Sequence, residues 1–68
     1  MEKGIDLTIS IICNCAFFAI LRKDENEIIA IRDWLIYLLK KMGCNDKEIE
    51  SNLFYFDNNI KNTWKLFN

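Results

Sequence analysis

Three cysteines carry most of the side-chain chemistry this sequence could offer, and they stand at positions 13, 15 and 44. Structural zinc sites prefer cysteine and histidine ligands, and the chain contains no histidine. A zinc ion here would need a carboxylate as its fourth ligand. An odd number of cysteines also does not build a disulfide framework. We therefore expect three reduced, small apolar side chains in the core, no metal site and a cytoplasmic setting.

The other residue types do not assemble a catalytic site either. Without histidine the usual general base near neutral pH is missing, and a cysteine nucleophile has no such base beside it. Gly4 and Gly43 stand alone and cannot form a phosphate-binding loop. Glu48 and Glu50 are close carboxylates, but they lie at a predicted helix start, where acids compensate the helix dipole. We predict a non-enzymatic protein without cofactors.

The bulk composition limits the classes of partner. Nine basic and ten acidic residues give a net charge of −1 and form no basic stripe, so we do not expect nucleic-acid binding. The chain is 51% apolar, and a surplus of this kind must fill a dense core or cover a partner. Isoleucine, asparagine and lysine supply 26 of 68 positions, which suggests an AT-rich genome such as that of a phage, virus, protist or low-GC bacterium.

Residues 24 to 42 carry consistent signals of an amphipathic helix. Asp24 is a good N-cap, and Glu27 follows at the spacing of a capping box. Gly43 follows the last turn as the C′ residue. Apolar residues recur on one face at alternating steps of three and four, at Ile28, Ile31, Leu35, Leu38 and Met42. This pattern predicts a helix from about residue 25 to 42.

Two shorter helices are predicted after it. Asn45 is a good N-cap for the third helix, and its apolar face comprises Ile49, Leu53 and Phe56. The run "DNN", residues 57 to 59, favours a turn, because Asp and Asn side chains bond to nearby backbone. A fourth short helix would carry Ile60, Thr63, Trp64 and Phe67. Phe54 and Tyr55 lie off the apolar face of the third helix, and we expect at least one of them to be exposed.

The first segment allows more than one interpretation. Apolar and polar residues alternate from Ile5 to Ile11, as in a strand, whereas residues 12 to 21 are apolar on all sides, as in a buried helix. A hairpin with "RKDENE" as its loop is also compatible, but the capping box assigns residues from 24 onward to a helix. We predict a helix from about 5 to 22. The result is one all-α domain, residues 1 to 68, built as a small four-helix bundle.

The same segment raises the question of a membrane. The apolar run of residues 5 to 21 contains four polar side chains: Asp6, Thr8, Ser10 and Asn14. It is therefore short and polar for a helix that crosses a bilayer. Lys3 precedes the run, as in a signal peptide, but no small-residue cleavage site is convincing. We expect a buried core element.

The sequence from Met42, "MGCNDKEIESNLFYFDNNIKNTWKLFN", resembles the ubiquitin-associated (UBA) domain family, whose members are three-helix modules. The family's first helix commonly ends in Met-Gly-aromatic, before a polar N-cap and an acidic helix start. The matching residues are Met42, Gly43, Asn45, Asp46 and Glu48, then Leu53, Asn59, Ile60, Thr63, Trp64, Leu66 and Phe67. The resemblance covers residues 28 to 68 and implies a UBA-like fold there, with residues 1 to 23 as an apolar extension.

The resemblance also implies a binding patch. In such modules the glycine loop and the end of the third helix dock onto the aliphatic face of ubiquitin. By position, the patch residues here are Met42, Gly43, Cys44, Trp64, Leu66 and Phe67. The family usually carries Phe or Tyr where this chain has Cys44, and the smaller residue removes contact area.

Two main functional hypotheses follow, and a membrane-associated peptide hairpin is a third alternative. The first is a UBA-like interaction module that binds ubiquitin or another small folded protein through this patch. The second is a small phage or viral inhibitor or adaptor that occludes a host protein, as a homodimer formed through a helical stripe or the N-terminal helix. The second hypothesis fits the chain length, the AT-rich composition and the apolar surplus. Both predict a protein that acts by binding protein.

Overall fold

The computed structural model describes residues 2–68, with side chains described from residue 4 onward. Over this range the chain forms three α-helices and no strand. The helices are α1 (Glu2–Leu21), α2 (Glu25–Lys41) and α3 (Asp46–Phe67). Each helix packs against the other two. The bundle measures 35 × 18 × 18 Å. The predicted all-α class is confirmed, but the described residues form three helices where four were expected.

The ambiguous first segment is helical, as predicted. The inner face of α1 supplies more than half of the buried side chains: Ile9, Ile12, Ala16, Ala19 and Ile20. Backbone bonds close the end of α1, because the N–H of Asp24 donates to the carbonyl of Ala19 and the N–H of Lys23 to that of Ile20, both at 3.0 Å. Lys23 adopts a left-handed φ of 57° to allow this. Its position is one that usually takes glycine.

Helix α2 has the predicted caps and, within a residue, the predicted bounds. The Oδ1 atom of Asp24 accepts from the N–H of Glu27 at 3.1 Å, but the Glu27 carboxylate pairs with Arg22. The capping box is therefore only half formed. Gly43 follows the helix at a φ of 87°, and Cys44 donates its N–H to the carbonyl of Leu39 at 3.1 Å. This is the helix stop that Gly43 predicted.

Helix α3 starts at a complete capping box. Asn45 Oδ1 accepts from the N–H of Glu48 at 2.8 Å, and Glu48 Oε1 accepts from the N–H of Asn45 at 2.8 Å. The predicted break at residues 57 to 59 is wrong, because α3 continues through it to Phe67.

The packing of α3 explains the missing break. Its apolar stripe runs through the "DNN" segment without a change of spacing, at Ile49, Leu53, Phe56, Ile60 and Thr63. Asn58 and Asn59 are exposed, so they cost only a fraction of a kcal/mol each in helix propensity. Asp57 pairs with Arg32 of α2. Burial along the stripe outweighs three poor helix formers.

The three helices share one core, in which Phe56, Leu35 and Leu39 are fully buried. Cys13 and Cys44 pack half-buried against this core, and burial raises the pKa of both thiols, with a further contribution at Cys44 from the Glu48 charge. Cys15 is exposed. The prediction of three buried cysteines is therefore wrong for Cys15, which points away from the side of α1 that meets the other helices.

Candidate protein-binding surfaces

The structure separates the two halves of the patch that the UBA resemblance implies. Met42 lies at the N-terminal end of α1, where the hydroxyl of Thr8 is 3.7 Å from its sulfur. Phe67 lies towards the other end of α1, with its ring centroid 5.5 Å from that of Phe17. Leu66 is 80% exposed and Trp64 is half-buried.

The continuous α3 is the reason for this separation. A helix rises 1.5 Å per residue, so about 27 Å lie between Asp46, just after the glycine turn, and Trp64. In a three-helix UBA module a turn would fold the last helix back towards the loop. Here Met42, Gly43 and Cys44 are not brought together with the C-terminal residues. The two groups therefore do not adjoin in the way that the resemblance implies.

A groove between α2 and α3 is a concave and mainly apolar surface of the described chain. It encloses about 490 Å³ and lies between the N-terminal half of α2 and the C-terminal half of α3. Apolar side chains form most of it, namely Ile28, Ile29, Phe56, Ile60 and Trp64. At 1.5 Å per residue it is about 11 Å long, which matches two turns of a helix.

Charged side chains from both helices line the groove. Arg32 closes one end of it through a two-point ion pair, with Nε 2.9 Å from Oδ1 of Asp57 and Nη2 3.0 Å from Oδ2. This hydrogen-bonded pair raises the pKa of Arg32. Lys61 and Lys65 lie one turn apart on α3 and form no ion pair within the described residues. The α3 side of the groove is therefore basic, whereas Glu25 on α2 is acidic.

The outer face of α1 is a second surface without a partner. Six exposed residues follow one another along it at steps of three and four: Gly4, Leu7, Ile11, Asn14, Phe18 and Leu21. We call this row the α1 seam. Its large apolar members are strongly exposed, with 63% for Leu7, 50% for Ile11, 57% for Phe18 and 48% for Leu21. A stripe of this kind exceeds the scattered apolar residues that a monomeric surface ordinarily shows.

Helix α1 is also long and apolar enough to cross a membrane, judged by length and composition alone. The stretch concerned is Gly4–Leu21, of which 28% is buried inside the structure. Core helices of soluble proteins and signal sequences pass the same test. The expectation of a wholly buried core element therefore holds for the inner face of α1 only.

Sequence reasoning missed most of both surfaces. The groove residues Arg32, Asp57, Lys61 and Lys65 were not singled out, although the two lysines stand one turn apart beside the apolar stripe of α3. The α1 seam was not predicted, because the buried stripe of the same helix has a similar spacing of apolar residues. Phe54 and Tyr55 are both exposed, as the sequence predicted for at least one of them.

Within residues 2–68 no group of three or more His, Cys, Asp or Glu side chains converges on one point. The one closely paired carboxylate and guanidinium in the groove, Asp57 and Arg32, satisfy each other. What the surfaces offer is apolar area, shape and charge. A comparison with protein-family models, curated proteins and solved structures finds no match to the chain.

Proposed function

We propose that this chain is a non-enzymatic protein-interaction module, and that the groove between α2 and α3 binds an apolar segment flanked by acidic residues in another protein. The observation that carries the proposal is the groove itself. It combines an apolar wall, which contains Ile29 and Trp64, with two unpaired lysines on one side.

Apolar burial is the main favourable contribution to binding of this kind. A two-turn amphipathic segment could place its apolar face on Ile29, Ile60 and Trp64, which would remove these side chains from water. Trp and Ile surfaces of this kind supply contact area, while Lys61 and Lys65 would attract carboxylates next to that face. The Arg32–Asp57 pair is already satisfied and would mark the closed end of the site.

The proposed groove site differs from the patch that the UBA resemblance implies. Docking of ubiquitin on one patch requires Met42, Gly43 and Cys44 to lie beside Trp64, Leu66 and Phe67, and about 27 Å of helix separates these groups. The groove contains Trp64 alone of the six. Ubiquitin is therefore one probe among the tests below, and a host protein occluded by a small phage or viral inhibitor remains the alternative identity of the partner.

The proposal can be tested by NMR titration of the ¹⁵N-labelled chain with a synthetic amphipathic peptide that carries a leucine stripe flanked by glutamates. We expect shifts at Ile29, Ile60 and the indole of Trp64. The matched control is the same peptide with lysines in place of the glutamates, which should bind more weakly. The double variant Lys61→Glu with Lys65→Glu should reverse this preference, because the charged side of the groove changes sign.

Three results would contradict the proposal. The groove signals could stay unshifted at millimolar peptide, both peptides could bind equally well, or the charge-reversed variant could keep the original preference. A parallel titration with unlabelled ubiquitin separates the alternatives. Shifts at Met42 and Gly43 would support docking on the loop instead of the groove.

A further inference from the structure

We propose that the α1 seam binds a second copy of this chain, so that two α1 helices pack antiparallel about a two-fold axis at Asn14. The groove between α2 and α3 contains no α1 residue. The proposed dimer interface is therefore a different surface from the proposed binding groove, and the two proposals can be tested independently.

The spacing of the α1 seam is that of a helix-pairing interface. Its six members alternate steps of three and four from Gly4 to Leu21, which is the a and d pattern of a heptad repeat. The seam spans about 25 Å at 1.5 Å per residue. All six positions are exposed, while the opposite face of α1 is buried against α2 and α3. The helix is already fixed in place, so pairing does not require it to fold.

Asn14 identifies a second copy as the occupant in preference to lipid. It lies near the middle of an otherwise apolar row, and its amide in hydrocarbon would lose its hydrogen bonds to water. Against its own symmetry mate, each Asn14 amide donates to the other carbonyl and accepts in return. A single Asn in such a row costs stability but fixes register.

The antiparallel order follows from what the register places together. With Asn14 opposite Asn14, Leu7 faces Leu21 of the other copy and Ile11 lies within one residue of facing Phe18, so the large apolar seam residues of the two copies lie against one another. The stretch from Gly4 to Leu21 contains a single charged residue, Asp6, and Arg22 after it already pairs with Glu27. The helix dipoles distinguish the two orders, because a parallel pair places like helix ends side by side, whereas an antiparallel pair places each negative C-terminal end beside the positive N-terminal end of the other copy.

The exposed surface area of one chain leaves enough for an interface of this kind. The chain exposes 5,021 Å². A folded monomer of 8.1 kDa is expected to expose about 4,500 Å² by the usual scaling with mass. The difference is of the same order as the roughly 800 Å² that one partner contributes to a standard interface.

Sedimentation equilibrium of the full chain tests the pairing. We expect the wild-type protein to reach twice the chain mass at micromolar to millimolar concentration. Ile11→Glu should raise the dimer dissociation constant by about 100-fold or more, because each copy would bury an unpaired carboxylate. Leu7→Glu is the second variant, since its position is the more exposed of the two. The matched control is Phe54→Glu, at a 70% exposed site on α3 outside both surfaces, and it should leave the dimer unchanged.

The result that overturns the pairing is a wild-type chain that stays monomeric at millimolar concentration, or a dimer that Phe54→Glu weakens and Ile11→Glu does not. Circular dichroism of each variant confirms that helix content is retained. Phosphatidylcholine vesicles form the competing arm. If the wild-type chain is a monomer that binds these vesicles, and Ile11→Glu abolishes that binding, the seam is a lipid-binding surface and the proposal is overturned.

Cross-linking tests the orientation. In chains whose three native cysteines are replaced by alanine, Leu7→Cys and Leu21→Cys are introduced separately and the two proteins are mixed. The antiparallel register predicts disulfides between Leu7→Cys and Leu21→Cys chains under mild oxidation. Disulfides only between identical chains would overturn the antiparallel order. Asn14→Leu should strengthen dimerisation and allow both kinds of product, because the residue that fixes the register is gone.

Discussion

The outer face of α1 and the groove between α2 and α3 are both apolar and exposed, yet their chemistry differs. The seam is a convex row with no charged member, from Gly4 to Leu21. The groove is concave, and charged residues from both helices border it. An uncharged row with one central amide complements itself, whereas a concave site with a basic side selects a different, acidic partner. The difference indicates two occupants rather than one extended interface.

The largest effect should come from Phe56, which belongs to the shared core and also lines the groove. Phe56→Ala should cost about 3–5 kcal/mol in the free energy of unfolding. A single core of this size supplies about that much in total, so the monomer should be largely unfolded. Denaturant titration followed by circular dichroism measures the change.

The same variant sharpens the comparison between the surfaces. If the α1 seam dimerises, the folded fraction of Phe56→Ala should rise with protein concentration, because association favours the folded state. A folded fraction independent of concentration would contradict seam pairing. Phe54→Ala is the control, and it should change the free energy of unfolding by less than about 0.5 kcal/mol.

The two left-handed turns should respond in opposite directions. Gly43→Ala should destabilise by about 1 kcal/mol, because φ is positive there although the space around a Cβ is open. Lys23→Gly should stabilise by about 0.5–1 kcal/mol, since it removes a left-handed lysine between α1 and α2. Thermal melts measure both. If the two substitutions changed the free energy of unfolding in the same direction, the left-handed backbone conformation would not control the stability of the two turns.

The ion pair at the end of the groove should have a smaller effect. Asp57→Asn should cost about 0.5–1 kcal/mol, a modest value because both side chains are more than a third exposed. It should also leave Arg32 without its partner and strengthen binding of the glutamate peptide. Dimer mass should not change. A shift in dimer mass would mean that the groove and the seam are coupled.

The smallest effect should be the pH dependence due to Cys13. Burial raises its pKa above the ordinary value of 9.0, so the folded state keeps the thiol proton at a pH where the unfolded state has lost it. This contribution is complete below pH 9 and is lost as pH rises through the folded pKa. Cys13→Ser should therefore flatten the fall in unfolding free energy above pH 9, and an unchanged slope would contradict the assignment.

Local rules predicted the helix ends well. Asp24, Gly43 and Asn45 were identified as caps from residue type alone, and each makes the backbone contacts that this role requires. These features depend on neighbours within five residues, which the sequence displays directly. The complete capping box at Asn45 and Glu48 is the clearest example.

Features that depend on other helices were not predictable in the same way. The "DNN" segment has low helix propensity, but the stripe beneath it and the Arg32–Asp57 pair hold it helical. On α1, the buried and the exposed faces are both apolar, so periodicity could not say which face meets the core. The separation of Met42 from Phe67 is caused by the continuous α3, and a comparison of short motifs could not predict it.

One measurement tests the two-surface account most directly, namely sedimentation velocity of the wild-type chain with a saturating amount of the fluorescently labelled glutamate peptide. We predict that the peptide sediments with a complex of two chains and two peptides, because the groove stays open in the α1-paired dimer. A peptide that sediments only with single chains would show that the two binding events exclude each other. That result would contradict the claim that the seam and the groove are separate sites.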